Sequence, residues 1–401
     1  MKQSAKLTKT LRRFGLVALA AGFLAGCGDE KVTVAGKPIF YPEPPDPPRL
    51  QFLTSFSDVE AWAEQEESSG SSFSDFVLGT EKNTTRRQTG IKSPYGIAIR
   101  NGVIYLCDLG NSCVHVIDVI NRKYSRLGEK QHFEVPVNVT IDADGTKYVC
   151  DTKKAWIVVF DAQDQYVRTL DNSRQCRPID MAAYGDELYV VDSGQNELEA
   201  WSKDGKFLRV LATQGRGPGR LLMPTNIAVD SRGMLYVTDT MGSIINVYDR
   251  RGAFQGSIGG PGDQPGYFAR PKGLTFDPEG RLYVADAQWE YVQIFAPDRR
   301  LLMFFGGNRA TPDGMGLPAG VAVDTSCMPA FQKYVTKDFR PEYLLFVTNQ
   351  FGEHKVGVYA FGKSTTADYT PRKRSPSTRP ATRPATQPVE GTAPATQPAS
   401  G

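Results

Sequence analysis

The chain has 401 residues, 40% hydrophobic and 10% aromatic, ample for a large buried core. Its formal charge is +3, from 47 basic and 44 acidic residues, but the basic excess sits at the two ends. Without residues 1–26 and those after Pro371, 37 basic residues face 43 acidic ones, a net −6; a nucleic-acid reader carries a basic footprint, so no nucleic-acid partner is expected.

The chain begins with Lys2, Lys6, Lys9, Arg12 and Arg13, followed by an apolar run from Phe14 to Ala25. A basic start, a short apolar core and small residues at a cut site describe a secretory signal peptide over 1–26. The run is too short for a spanning helix of about 20 residues. Leu24-Ala25-Gly26-Cys27 resembles the lipobox of bacterial lipoproteins. The resemblance implies cleavage before Cys27, its lipidation with palmitate-type chains, and anchoring to a membrane of the bacterial cell envelope. Gly28 and Asp29 then lean towards the outer membrane, facing the periplasm or the cell surface, over the inner one. Residues 27–48 carry the lipid and a Pro-rich stalk that ends in Pro44-Pro45-Asp46-Pro47-Pro48, a composition that favours extended polyproline II.

From Arg49 the composition changes to short apolar runs bounded by turn residues. Arg49–Phe56 reads as a lone strand, and residues 57–90 as an irregular stretch in which Phe73–Gly79 packs onto the first repeat unit. That unit recurs six times. It opens on Pro94-Tyr-Gly-Ile-Ala, Pro136-Val-Asn-Val-Thr, Pro178-Ile-Asp-Met-Ala, Pro224-Thr-Asn-Ile-Ala, Pro271-Lys-Gly-Leu-Thr and Pro318-Ala-Gly-Val-Ala, with prolines 42, 42, 46, 47 and 47 residues apart. A second segment comes next: IYLCD at 104–108, KYVCD at 147–151, LYVVD at 188–192, LYVTD at 235–239, LYVAD at 282–286 and LFVTN at 345–349. A third segment (VHVID, IVVFD, LEAWS, INVYD, VQIFA, VGVYA) and a weaker fourth complete each unit. The runs of Val, Ile, Leu, Tyr and Phe between Gly, Pro, Asn and Asp turns read as four strands per unit. Sheets apolar on both faces must pack on neighbours, and a period of 40–47 residues fits the blades of a propeller. The fold class expected is all-β, a six-bladed β-propeller of four-stranded antiparallel blades. Blade six lacks a fourth strand, so the N-terminal strand at 49–56 is expected to close it and remove the open edge.

These motifs, Pro-x-Gly-Ile-Ala, Leu-Tyr-Val-x-Asp and Val-x-Val-Phe-Asp, resemble NHL repeats over residues 49–362. The resemblance implies the propeller but no single activity, because that family holds enzymes, nucleic-acid readers and protein binders. Blade six departs from the pattern by an insertion near Thr325–Pro341, readable as a functional loop or as a tolerated surface one. Residues 363–401 turn to Ser, Thr, Ala, Pro and Arg, a composition of disordered tails.

The chemistry is sparse. With Cys27 assigned to lipid, Cys107, Cys113, Cys150, Cys176 and Cys327 remain, an odd number whose pairing the sequence leaves open; Cys107–Cys113 is one pairing an oxidising compartment allows. His115, His132 and His354 occupy non-equivalent positions. The residues after the opening prolines are Tyr95, Val137, Ile179, Thr225, Lys272 and Ala319, with no histidine where amidating lyases of this propeller type hold metal. One position on, the ring reads Gly96, Asn138, Asp180, Asn226, Gly273 and Gly320. Asn138, Asp180 and Asn226 thus form a candidate ligand site at the channel mouth, with Ca2+ as the cation that oxygen donors suit, or they serve turn geometry. Asp108, Asp151, Asp192, Asp239, Asp286 and Asn349 recur too regularly for catalysis and read as acceptors for backbone N–H groups of the following loop. Tyr95, Lys272 and Trp289, with Trp156, Tyr267, Tyr291, Phe351, Arg216, Arg220 and Arg270, are expected on one exposed binding face, since aromatics and Arg suit interface hot spots. Together these residues point to an envelope lipoprotein whose propeller binds a protein, peptide or polysaccharide, with a binding or scaffolding role favoured over catalysis. The alternative is a metal-dependent hydrolase or lyase, lactonase- or esterase-like, working in the channel. A weaker third is an accessory subunit to envelope redox complexes.

Overall fold

Apolar runs without alternation need cover on both faces, and each repeat obtains it by packing between two others. The computed structural model describes residues 37–43, 45–59, 90–170, 174–307 and 309–370. Blade one sets the pattern: Pro94–Arg100, Val103–Asp108, Cys113–Asp118 and Lys123–Leu127, antiparallel in that order. Four more four-stranded sheets repeat it. The innermost strands are Pro94–Arg100, Pro136–Ile141, Pro178–Tyr184, Pro224–Val229, Pro271–Phe276 and Pro318–Asp324. Each touches the next and the last touches the first, so the six blades close into a propeller around an axial channel. Second strands are buried almost throughout, whereas fourth strands such as Lys123–Leu127 and Phe254–Gly259 form the half-exposed outer rim.

Register fixes which residues share an end. Pro94 pairs with Asp108 and Asp108 with Cys113, so the start of the first strand meets the end of the second and the start of the third. Neighbouring innermost strands meet at matching levels, as where Asn138 Nδ2 donates to Ile179 O at 3.0 Å. They therefore run the same way, and all six opening prolines lie at one end of the channel.

The repeated aspartates build this proline end, and all five are buried. Asp108 accepts N–H groups of Lys92 and Ser93 at 2.8 and 2.9 Å, just ahead of Pro94, and of Gly110 at 3.0 Å in the loop after. Asp239 does the same for Leu222, Met223 and Gly242, and Asp286 for Ala269, Arg270 and Gln288. One carboxylate thus ties the loop before the blade to the loop within it, and the proline that follows needs no acceptor, having no N–H. Burial opposes the Asp108 charge, but His115 and the two backbone N–H groups hold its pKa down at about 2. Asn349, the blade-six counterpart, donates Nδ2 to His354 O, and its buried Oδ1 has no donor among the described residues.

Leu50–Phe56 pairs with Val356–Ser364, so the N-terminal strand closes blade six. Closure goes one strand further. Phe40–Tyr41, inside the segment read as a stalk, pairs with Leu50–Phe56 as a fifth strand. The reason is apolar contact: Phe40 packs on Phe339 and Tyr41 on Phe305. The blade-six insertion is a clamp. Its short helix Met328–Phe331 buries Phe331 among Leu53, Ile104 and Phe346, and Ser326 Oγ accepts the Gly102 N–H of blade one at 2.7 Å. Cys107, Cys113, Cys150, Cys176 and Cys327 are all buried free thiols, so the Cys107–Cys113 pairing is not formed. Among the described residues no helix is long and apolar enough to cross a membrane. Cys27, residues 28–36 and Pro44 of the stalk, Phe73–Gly79 and the tail from Pro371 lie outside the described residues.

Candidate functional site

The axis of the propeller is asymmetric, and glycine decides where. An added Cβ would lie 2.3 Å from Ala319 O at Gly273, 2.4 Å from Tyr95 O at Gly320, and 2.6 Å from Asn138 Cα at Gly96. Blades five, six and one thus approach too closely at this level for any side chain. In blades two to four a side chain sits there and bridges to a neighbour. Asp180 Oδ2 accepts the Ile227 N–H at 3.0 Å and Asn226 Nδ2 at 3.2 Å, and Oδ1 accepts the Met181 N–H at 2.9 Å. The three sequence candidates Asn138, Asp180 and Asn226 are therefore brought together, buried and hydrogen-bonded between blades.

Above them the channel is covered. The Tyr95 ring packs on Val137 and Ala319, and its hydroxyl donates to Asn226 Oδ1 at 3.3 Å. Blades one and four face each other across a six-membered ring, so Tyr95 spans the axis. Lys272 of blade five lies over the Tyr95 ring, with Nζ 5.0 Å from the centroid, and donates to Gln350 Oε1 of blade six at 2.6 Å. Tyr95 and Lys272, expected on the exposed face, are 6% and 8% exposed, because they plug the mouth. Trp289 lies apart on the rim, exposed, its Nε1 donating to Gly262 O at 3.2 Å.

The other end is open. Every innermost strand is buried at its proline end and half-exposed at its far end. A cavity of about 310 Å3 runs up the axis from there, reaching Asn138, Asp180 and Asn226 beneath the plug. Burial raises the Asp180 pKa to about 7, against the hydrogen bonds from Ile227, Met181 and Asn226. Burial, then the Arg270 charge, lowers Lys272 to about 8. Tyr95 is held well above its usual range by burial and then by Asp180.

The donor set does not suit calcium, which takes about six to eight oxygens: Asp180 already accepts three N–H groups, and Asn226 Oδ1 accepts the Tyr95 hydroxyl. Among the described residues no three His, Cys, Asp or Glu side chains converge as a metal group. Elsewhere on the proline end, by contrast, Trp156 at the start of a third strand and Met241, Tyr267, Trp289 and Phe351 on loops are all exposed. Gln350 and Lys355 are functional candidates that sequence reasoning missed. Lys355 Nζ donates to the Gln350 carbonyl at 3.2 Å, and the only local signal was that their loop follows the irregular Asn349.

No protein-family model and no curated protein matches this chain. Solved structures do. A Bacteroides thetaiotaomicron protein of unknown function is 15% identical with a TM-score of 0.53, over 68% of this chain and 70% of that one. A gluconolactonase of Xanthomonas campestris is 16% identical with a TM-score of 0.51, over 82% of this chain and 99% of that one. A streptogramin B lyase is 10% identical with a TM-score of 0.47, over 68% of this chain and 85% of that one. At these identities the likeness is one of fold.

Proposed function

We propose that this chain is a lipid-anchored bacterial envelope protein of the NHL-repeat kind, whose propeller docks a protein partner on its proline end. The observation that carries this reading is the Tyr95 plug. It denies a small substrate passage through that mouth, while five large apolar side chains stay exposed at the same end. Solvent-exposed aromatics and Met on one face, near Arg216, Arg220 and Arg270, have the composition of interface hot spots. Cys27 holds the lipid, and the outer membrane is the expected site, facing the periplasm or the surface.

The test is a photo-crosslinking residue placed at Phe351 on the proline end or at Asp186 on the far end, in cells. A discrete adduct from Phe351 and none from Asp186 supports the reading; equal adducts, or none from Phe351, overturn it. Incorporation of a labelled palmitate, lost in Cys27→Ser, checks the anchor.

One observation favours a second reading, a hydrolase or lyase in the channel: Asp180 is held near neutrality in a bore open at the far end, the kind of perturbation active sites use. It predicts lactone or ester turnover that Asp180→Asn abolishes.

A further inference from the structure

Among the described residues two lysines are buried, and their surroundings differ. Lys147 is neutralised: Nζ lies 2.6 Å from Asp164 Oδ1 and donates to the carbonyls of Asp161 and Ala162, each at 2.9 Å. Lys272 has an amide oxygen of Gln350 and the face of Tyr95, and among the described residues no carboxylate pairs with it. Its charged neighbour Arg270 is of the same sign, and burial and that neighbour both disfavour its charged form. Lys355 grips the other side of Gln350, through the backbone carbonyl, and also forms no ion pair among the described residues. Lys272, with Arg270 as its charged neighbour, therefore stands without a carboxylate partner among the described residues, while Lys355, drawn by the Asp108 charge, holds the other side of Gln350. A buried charge left unpaired opposes folding, and the fold shows at Lys147 that it can supply the missing carboxylate. At Lys272 it supplies none.

We propose that Lys272, with Arg270 and Lys355 beside it, is a recognition site for a carboxylate, carried by an acidic segment of the partner protein. This rests on the proline end being the docking face. Charge complementarity selects the carboxylate, which would complete the hydrogen-bonding of a buried ammonium. The exposed Phe351, next to Gln350, and Trp289 on the same face select a peptide over a free anion: they offer apolar contact to residues flanking an acidic side chain, which a lone carboxylate cannot use.

The experiment is fluorescence anisotropy of the full chain with a labelled Glu-containing peptide, capped at both ends, and with its Gln counterpart. The Glu peptide is expected to bind and the Gln peptide to bind about thirtyfold or more weakly, as for loss of a desolvated charge pair. Lys272→Met and Arg270→Gln should each weaken Glu-peptide binding, whereas Arg251→Gln at the far end should not. Lys272→Met should also melt no lower than the parent, because it removes an uncompensated charge and keeps the stem over Tyr95. Equal binding of the two peptides, binding untouched by both variants, or a lower melting temperature in Lys272→Met would overturn the proposal, the last by making Lys272 a structural tie to Gln350. Competition by free acetate as strong as by the peptide would overturn the peptide assignment. If the acidic peptide fails while the Phe351 crosslink persists, the docking face stands and only the carboxylate site falls.

Discussion

The two ends of the axial channel are built from the same six strands and yet differ in kind. At the proline end, buried aspartates tie loops together, an aromatic ring lies across the axis, and Lys272 is buried with no carboxylate partner among the described residues. At the far end the strands are joined by short Asp–Gly turns, as where the N–H groups of Gly145, Gly233 and Gly280 donate to the carbonyls of Asp142, Asp230 and Asp277. Those glycines have φ of +91°, +81° and +77°, which a side chain would strain. Turns of that kind satisfy much of their own backbone, and single side chains of neighbouring blades reach them: Arg100 donates to the carbonyls of Asp142 and Ala143, the Tyr184 hydroxyl to Ser231 O, and the Tyr343 hydroxyl to Asp277 Oδ2. The proline end adds a carboxylate in each of five blades that ties the loop before the blade to the loop within it, as Asp239 does for Leu222, Met223 and Gly242. Binding surfaces arise where loops are held rigidly but made from variable side chains, and here that end is the sealed one.

The largest expected effect breaks this contrast directly. Asp239→Ala removes the acceptor of three N–H groups, from Leu222, Met223 and Gly242. Leaving buried donors unpaired should destabilise the protein by about 3–5 kcal/mol. Asp144→Ala at the far end removes one exposed acceptor, for the Thr146 N–H, and should stay within about 0.5 kcal/mol. Urea unfolding of both variants checks this. Similar losses at the two ends would mean that the aspartate ties are not what distinguishes them.

A second effect, spread over a pH window, concerns the floor of the bore. Asp180 titrates near 7 in the folded protein and about 3.9 in the unfolded chain. Between these values the folded state keeps a proton that the unfolded chain has released, so stability falls as pH rises from about 4 to about 7. Glu199, also raised by burial, acts with the same sign. Asp108 acts oppositely in a lower window: its stabilisation is complete above about 4 and lost as pH falls through about 2. The Asp180 share, on the order of 4 kcal/mol across its window, should vanish from the pH profile of Asp180→Asn, whatever that variant's absolute stability. An unchanged slope would place the carboxylate in contact with water and ionised throughout.

Much of this architecture was legible in the chain because it recurs. The six prolines, the Leu-Tyr-Val-x-Asp strands and the missing fourth strand of blade six are local patterns, and local patterns repeat where neighbours repeat. The aspartates were readable as backbone acceptors for the same reason, though half their bonds run to the loop before the blade. The fifth strand at Phe40–Tyr41 was hidden in proline-rich sequence, because its pairing is decided by contacts with Phe339 and Phe305 far along the chain. The plug was hidden differently. Tyr95 occupies a position whose equivalents are Val137, Ile179, Thr225, Lys272 and Ala319, and one ring among smaller residues was the available signal. Its partner Asn226 is 131 residues away, and only closure of the ring sets them face to face. Asn138, Asp180 and Asn226 were located as a group, but not that their polar atoms are engaged with one another and with adjacent blades.

The smallest effect sharpens what the plug is made of. Tyr95→Phe keeps the ring on Val137 and Ala319 and removes only the hydroxyl that donates to Asn226. A hydrogen bond of this kind contributes about 1 kcal/mol, so a loss of that size is expected, read from the urea midpoint. No loss would mean that packing alone holds the ring across the axis, and that blade four is not tied to blade one. A loss well above that would mean that Asn226 Oδ1 cannot find water in its place, and so that the bore is dry at its floor. That outcome would bear on Asp180, whose neutrality near pH 7 rests on the same desolvation: a dry floor keeps a carboxylic acid protonated, whereas a wet one lets it ionise. The hydroxyl of a single tyrosine thus reports both how the proline end is sealed and what lies beneath the seal.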